Sequence, residues 1–285
     1  MYKGEYDHWQ SFQPVVLGRI MKQLSLREIQ LEELNIAKSI DSFCRDKGIK
    51  YFLFSGSLLG AVRHKGFIPW DDDMDFYMLR NDYDRFCEEF THDLYVVKYC
   101  ENGTAHSPIA KVCNPSILVK SDSLGDEDNS LLWVDIFPLD GVPNSPIKRK
   151  ILLSRIQNLE RMIIWKRKDP QKENNTTRRI IKKIASLYLD RLTDKDVIKI
   201  AQKISRISRK IKPLSTGYNA NLCYSFIYPD EIFKSRRLYD FEDHQFYSVS
   251  DYDTALTSNY NAEYMTPPPE NKRGGHYLTA YYNEE

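Results

Sequence analysis

Residues 71 to 75 read Asp-Asp-Asp-Met-Asp, four carboxylates in five positions, and run directly into the apolar stretch Phe76-Tyr77-Met78-Leu79. Like charges this close repel, yet the apolar residues beside them must be buried, so the fold has to hold an acidic cluster at the edge of a core. Side chains alternate along a strand, which puts Asp73 and Asp75 on one face with Asp71 continuing the row. Something positive must sit there, and hard divalent cations such as Mg2+ or Mn2+ take oxygen ligands of this kind.

Upstream, Ile49–Phe54 reads as a buried strand, closed by Ser55-Gly56-Ser57 and followed by a short helix over Ser57–His64. Glycine lets a backbone approach a phosphate, and free amides at a helix start face the anion, so Gly56 and Ser57 are phosphate-binding candidates. Coupled to a carboxylate pair one strand later, the turn has the form of a metal-dependent phosphoryl or nucleotidyl transfer site. A third carboxylate is expected from a neighbouring strand. Asp135, between Trp133-Val134 and Ile136-Phe137, fits, because an unpaired Asp in so apolar a run is costly to bury. Asp140, before Gly141, reads as a turn residue. Arg63, His64 and Lys65 follow the short helix, either as phosphate ligands or as a solvated basic turn. Trp70 offers a face on which a base or a quaternary ammonium could stack.

The remaining pattern is mixed. Ser25 and Glu28 form a capping box for a helix over about 26–47 that stops at Gly48. The acidic cluster opens a strand over Asp73–Leu79, and Asn81 caps a helix reaching Thr91. Strands follow at Leu94–Tyr99, Ile109–Cys113 and Ile117–Lys120; after an acidic loop at Asp122–Asn129, another at Leu131–Phe137 stops at Pro138. This is an α/β (α+β) domain. Lys148–Lys212 then holds 21 Lys and Arg against 6 Asp and Glu, while the rest of the chain holds 20 against 34. Three basic amphipathic helices fit that stretch: Pro146–Lys168, Thr177–Arg191, and Asp194–Ile211 capped by Thr193. They either pack a stripe on the core with a solvated face or rest on anionic headgroups. Further on come a strand at Leu222–Tyr228, a hairpin over Leu238–Val249 around Glu242-Asp243, a helix from Asp251 to Asn259 capped by Ser250, and an aperiodic tail with Lys272, Arg273 and His276 that could close over a ligand. The expected division is an N-terminal extension (1–25), a catalytic core (26–143), a basic helical subdomain (144–212) and a C-terminal segment completing the site (213–285).

Composition narrows the class. With 41% hydrophobic and 28% charged residues the chain can build a core, and its net charge of +1 gives no overall field for nucleic acid, so no nucleic-acid partner is expected. No apolar run approaches the ~18 residues of a membrane span, and the first residues lack the form of a secretory signal. Five scattered cysteines without CxxC spacing read as reduced thiols of a cytoplasmic protein.

The stretch Ser55 to Asp75, SGSLLGAVRHKGFIPWDDDMD, resembles the signature of the LicD family of phosphocholine (phosphodiester-forming) transferases. Trp133 to Gly141, WVDIFPLDG, resembles that family's second motif; Tyr228-Pro-Asp-Glu-Ile-Phe233, Asp251-Tyr252 and Pro267-Pro268 with Lys272, Arg273 and His276 are similar to its carboxyl end. The resemblance implies a nucleotidyltransferase-like mixed sheet with flanking helices and a basic helical insertion. It also implies Gly56 and Ser57 as the Gly-Ser element, Asp73 and Asp75 as the Asp-x-Asp, and Asp135 as the third carboxylate. Members transfer a phospho-alcohol such as phosphocholine from a CDP-activated donor to a sugar hydroxyl of a cell-surface glycan (lipopolysaccharide or teichoic acid) or its lipid-linked precursor, releasing CMP. CDP-ribitol and CDP-glycerol are alternative donors. A nucleotidyltransferase moving NMP to a small molecule or RNA would use the same carboxylates but release pyrophosphate. A non-enzymatic basic module would need none of them. Where relatives often carry a His pair, this chain has the single His276. A lipid-linked acceptor together with the basic helices implies peripheral attachment to the inner membrane face.

Overall fold

The structure, a computed structural model, describes residues 15–16, 19–20, 22–121, 130–167, 176–210, 218–220, 227–274 and 278–283. A two-residue pair, β1 (Val15–Val16) and β2 (Arg19–Ile20), precedes α1 (Leu26–Lys47). The helix starts where the sequence says it must: Ser25 accepts from the Glu28 backbone N–H, and the Glu28 carboxylate returns the bond. It ends at Gly48, whose φ of 65° is the left-handed conformation that glycine adopts without strain. Its Leu34, Ala37, Ile40 and Cys44 are buried.

Next come β3 (Phe52–Leu53), α2 (Ser55–Arg63), β4 (Asp75–Leu79), α3 (Arg80–Glu89), β5 (Val96–Lys98), β6 (Ala110–Ser121) and β7 (Ser130–Gly141). The basic helices are α4 (Pro146–Arg167), α5 (Thr176–Leu189) and α6 (Asp194–Arg209); β8 (Tyr218–Ala220), β9 (Arg236–Phe241), β10 (His244–Val249), α7 (Tyr252–Asn259) and β11 (Leu278–Tyr282) complete the chain. A seven-stranded mixed sheet runs β11-β6-β7-β4-β3, with β5 also on β6 and β8 also on β7. Only β4 and β7 pair in parallel; the other pairings are antiparallel. With helices packed on this sheet, the fold class is α/β.

Five local expectations are corrected. The two strands expected at 109–120 are one strand, β6, whose register breaks between Asn114 and Leu118, and the break contains Pro115, which has no N–H to pair. The strand expected to stop at Pro138 continues to Gly141. The Asp135 N–H donates to the carbonyl of Met74, the residue before β4, so alternation turns the Pro138 nitrogen to the other edge. There β6 pairing has ended at Ile136 and β8 pairing begins at Leu139, so no bond is lost. Asn81 does not cap α3: the helix follows β4 directly from Leu79, and Arg80 is pinned by the buried Asp140, which is thereby an ion-pair partner rather than a turn residue. The cap of α7 is Asp251, whose carboxylate accepts from Thr254 N–H at 3.1 Å, and not Ser250. The acidic loop Asp122–Asn129, most of the strand expected over Leu222–Tyr228, and His276 lie outside the described residues.

The main core lies between the sheet, α1, α2, α3 and the β9–β10 hairpin. A second cluster joins Val142 and Cys100 to Ile156 and Ile163 of α4 and Val197, Ala201 and Ile204 of α6. Arg209 at the end of α6 ion-pairs with Asp84 and with Glu101, the latter at 2.8 Å.

One close approach sets the loop beyond α2. A Cβ at Gly60 would stand 2.4 Å from the carbonyl oxygen of Gly66 and 3.4 Å from the nitrogen of Ile68, both backbone atoms. Gly60→Ala is therefore expected to cost about 1–3 kcal/mol in urea denaturation. Gly48→Ala, strained in φ but facing open space, should cost only about 1 kcal/mol. Equal costs would mean that the loop is free to move away.

Candidate active site

The strand expected from Asp73 begins only at Asp75, yet burial alternates through the acidic run: Asp72 and Met74 are buried, whereas Asp71, Asp73 and Asp75 are half-buried. Asp75 begins β4 and lies beside Asp135 in the parallel register, and Asp135 lies opposite Lys111 of β6. Three strands thus place Lys111, Asp135 and Asp75 in one transverse row. The Lys111 ammonium is 2.9 Å from Asp135 Oδ1 and 3.7 Å from the centre of the Trp133 ring, while the Trp133 indole N–H donates to Asp135 Oδ2 at 2.9 Å. Burial, then the charges of Asp73, Asp135 and Asp71, hold the Asp75 carboxyl well above the usual carboxylate range, with Lys111 opposing them.

A further carboxylate joins from α1. Glu33 is 1% exposed, and its Oε2 has no hydrogen-bond partner. Burial first, then Asp73, Asp72, Asp135 and Asp71, push it well above its ordinary value. Sequence reasoning missed Glu33 because, directly after Glu32 in a helical repeat, it reads as one of a pair of surface acids, and missed Lys111 because nothing nearby marks it. The signal for Lys111 was the strand pairing itself.

Ser57 ties the start of α2 to the acidic strand, its hydroxyl accepting from the Asp75 N–H at 2.8 Å. A Cβ on Gly56 would lie 2.8 Å from an Asp71 carboxylate oxygen, so glycine here admits the cluster itself. Ser55, at φ 51°, is in the left-handed region, a strained start that turns the chain sharply from β3 into α2. Its hydroxyl is 3.0 Å from the Tyr77 hydroxyl. Tyr228 stands behind Tyr77 and bonds Asn259, and its hydroxyl is pushed up to about 12, mainly by burial. The Tyr260 hydroxyl is raised by burial and by Asp75, Asp71 and Asp73.

Of the basic candidates, Arg63 donates to the Tyr264 carbonyl at 2.6 Å and to His64 Nε2, clasping the C-terminal segment, while Lys65 is exposed. His64 lies edge-on to Trp70, and the Arg273 guanidinium sits 4.5 Å above the Trp70 ring. The structure therefore brings Trp70, His64 and Arg273 together, and the cation on that ring is the chain's own. Lys272 is exposed.

The donor set is entirely carboxylate oxygen, with an orphaned buried oxygen at Glu33, and this suits a hard divalent cation. Among the described residues no three acidic, His or Cys side chains converge on one point as they stand. Lys111 holds Asp135, and an ion would have to displace it.

A Gly-Ser helix start beside carboxylates on adjacent strands of a mixed sheet is the arrangement that the resemblance to nucleotidyltransferases implies. Residues 48–152, which contain the Gly-Ser helix start, Asp71 to Asp75, Lys111 and Asp135, match the family described as LicD/FKTN/FKRP, nucleotidyltransferase domain. The chain is 33% identical over 283 residues to the lipopolysaccharide cholinephosphotransferase LicD of Haemophilus influenzae, covering 92% of this chain and 99% of that protein. It is also 31% identical over 111 residues to an uncharacterised protein of Rickettsia prowazekii, 38% of this chain and 39% of that one. A shorter match to a Rickettsia typhi protein is 45% identical over 47 residues, 16% of this chain and 15% of that one. This chain belongs to the LicD family and is a transferase.

Two substitutions read the electrostatics with opposite sign. A carboxyl raised on folding contributes most to stability at low pH, and that contribution fades as pH rises. Glu33→Gln removes the fading and should raise Tm by about 2–4 °C, more at pH 8 than at pH 5. Lys111→Met removes the counter-charge and should lower Tm, again more at pH 8. A pH-independent effect of either would detach that residue from the cluster.

Proposed function

We propose that this protein transfers phosphocholine from CDP-choline to a sugar hydroxyl of a cell-surface glycan, lipopolysaccharide or its lipid-linked precursor, releasing CMP. The observation that carries the reading is the end-to-end similarity to a cholinephosphotransferase of lipopolysaccharide, at 33% identity over 99% of that protein. Asp73, Asp75 and Asp135, with Asp71, would hold Mg2+ or Mn2+, which supplies neutralisation of the donor diphosphate and of the departing CMP.

The chain's own residues do the rest. Amides at the start of α2, at Gly56 and Ser57, face the diphosphate oxygens, while Arg63 at the other end of the helix and Lys65 just beyond it add positive charge, with His64 held neutral as the acceptor of an Arg63 hydrogen bond. The sugar oxygen attacks the choline-bearing phosphorus, the bond from that phosphorus to the bridging oxygen breaks, and CMP leaves with the electron pair. The hydroxyl proton goes to the Asp135 carboxylate, which the Trp133 indole N–H orients. Lys111, once released from Asp135, meets the phosphoryl oxygens. Trp70, Arg273, Lys272 and His276 would close over the donor, and Tyr260, 42% exposed, offers an aromatic face that suits a quaternary ammonium. The acceptor is met at the cytoplasmic face of a membrane, with the protein attached peripherally.

The test supplies purified protein with Mg2+, a lipopolysaccharide acceptor and, in turn, CDP-choline, CDP-ribitol, CDP-glycerol and CTP, following CMP and pyrophosphate by chromatography. CMP from CDP-choline, reduced at least about a hundredfold in Asp73→Ala, is expected. CMP from another CDP-alcohol would replace the donor, and pyrophosphate from CTP would replace the reaction.

A further inference from the structure

The three basic helices differ in what their apolar residues do. In α6, Val197, Ala201 and Ile204 are buried against the core, and Arg209 is ion-paired to it. In α5 the apolar residues face away from the protein. Ile180, Ile181, Ile184, Leu187 and Tyr188 are between 49% and 72% exposed, whereas Leu189 is buried. At the α-helical repeat these five side chains fill an arc of about 120°, and Leu189 lies on the other side of the helix. Arg179 and Lys183 border one side of that arc. At the start of α4, Ile147 and Ile151, one turn apart, are also exposed. Together α4 and α5 contain eleven Lys and Arg and one acid, Glu160.

A solvated charged face accounts for the basic residues but not for five large apolar side chains left in water among them. A protein partner of ordinary composition would leave most of the positive charge unmatched. An anionic lipid surface satisfies both, taking the apolar arc into the acyl boundary and the ammonium and guanidinium groups at the headgroups. We propose that α5, assisted by the start of α4, is the element that docks this protein on an anionic bilayer, lying in the interface plane. No described helix is long and apolar enough to cross a membrane. The inference deepens the reading that the acceptor is met at a membrane, but none of its residues belongs to the carboxylate site. Its partner is the lipid surface itself, and α6 is assigned to the core instead.

The test is flotation of the full chain with phosphatidylcholine vesicles with and without phosphatidylglycerol, over a salt series. The wild type should float with anionic vesicles at low salt, stay below with zwitterionic ones, and come off as salt rises. Ile180→Asn with Ile184→Asn and Leu187→Asn should weaken partition at least about tenfold without moving the melting temperature, since these side chains touch little of the protein. Arg179→Gln with Lys183→Gln should lower the salt concentration at which binding is lost. Asp73→Ala should float like the wild type, so failure of the catalytic reading leaves this result standing. Wild type that stays below, or a triple variant that floats unchanged, overturns the proposal. So does a wild-type dimer in light scattering that the triple variant disperses, because a second copy would then cover the arc.

Discussion

Several carboxylates held together at the edge of a core are the constraint around which this molecule is arranged. Asp75 and Asp135 are neighbours on parallel strands, Asp71 and Asp73 lie on the same side, and Glu33 approaches from α1. Burial and the neighbouring Asp charges together raise Asp75 and Glu33. The fold answers with one ammonium, Lys111, placed opposite Asp135 by the β6–β7 register and backed by the face of Trp133. A shift of one residue in that register would turn Lys111 to the opposite face and leave Asp135 without it.

A cluster of this kind stays assembled only if its backbone cannot relax, and the clamps come from distant parts of the chain. Ser57 holds the Asp75 N–H, and Gln30 of α1 holds the Asp71 carbonyl at 2.8 Å. The turn of the β9–β10 hairpin sends Glu242 back to Arg27 at 2.6 Å and to the Phe67 N–H, and its carboxylate fills the space that a side chain on Gly66 would take. Arg63 ties the end of α2 to the Tyr264 carbonyl. The loop between α2 and β4 is thus pinned by α1, by the hairpin and by the C-terminal segment. Residues from Arg27 to Tyr264 therefore hold one loop in place.

Much of this was legible beforehand because it is local. The capping box of Ser25 and Glu28, the stop at Gly48, the turn at Glu242-Asp243 and the three basic helices depend on neighbours a few positions away. So does the alternation that aligns Asp71, Asp73 and Asp75. Errors arose where a residue's meaning came from its partner across the sheet. Pro138 reads as a stop until the gap between β6 and β8 is seen, Asp140 reads as a turn until Arg80 reaches it, and Pro115 divides a strand on paper but only bends it in the sheet.

By itself, the sequence determined which chemistry is available: carboxylates next to an apolar strand, a Gly-Ser helix start, a third Asp in an apolar run, and a basic stretch set against an acidic remainder. Tertiary structure decided which of these groups meet. It paired Asp135 with Lys111, brought Glu33 into the cluster, covered Trp70 with Arg273, and assigned one basic helix to the core while leaving another with its apolar face outward. The physical reason is that charge and hydrophobicity are carried by single residues, whereas their compensation requires partners that only strand register and helix packing bring within reach.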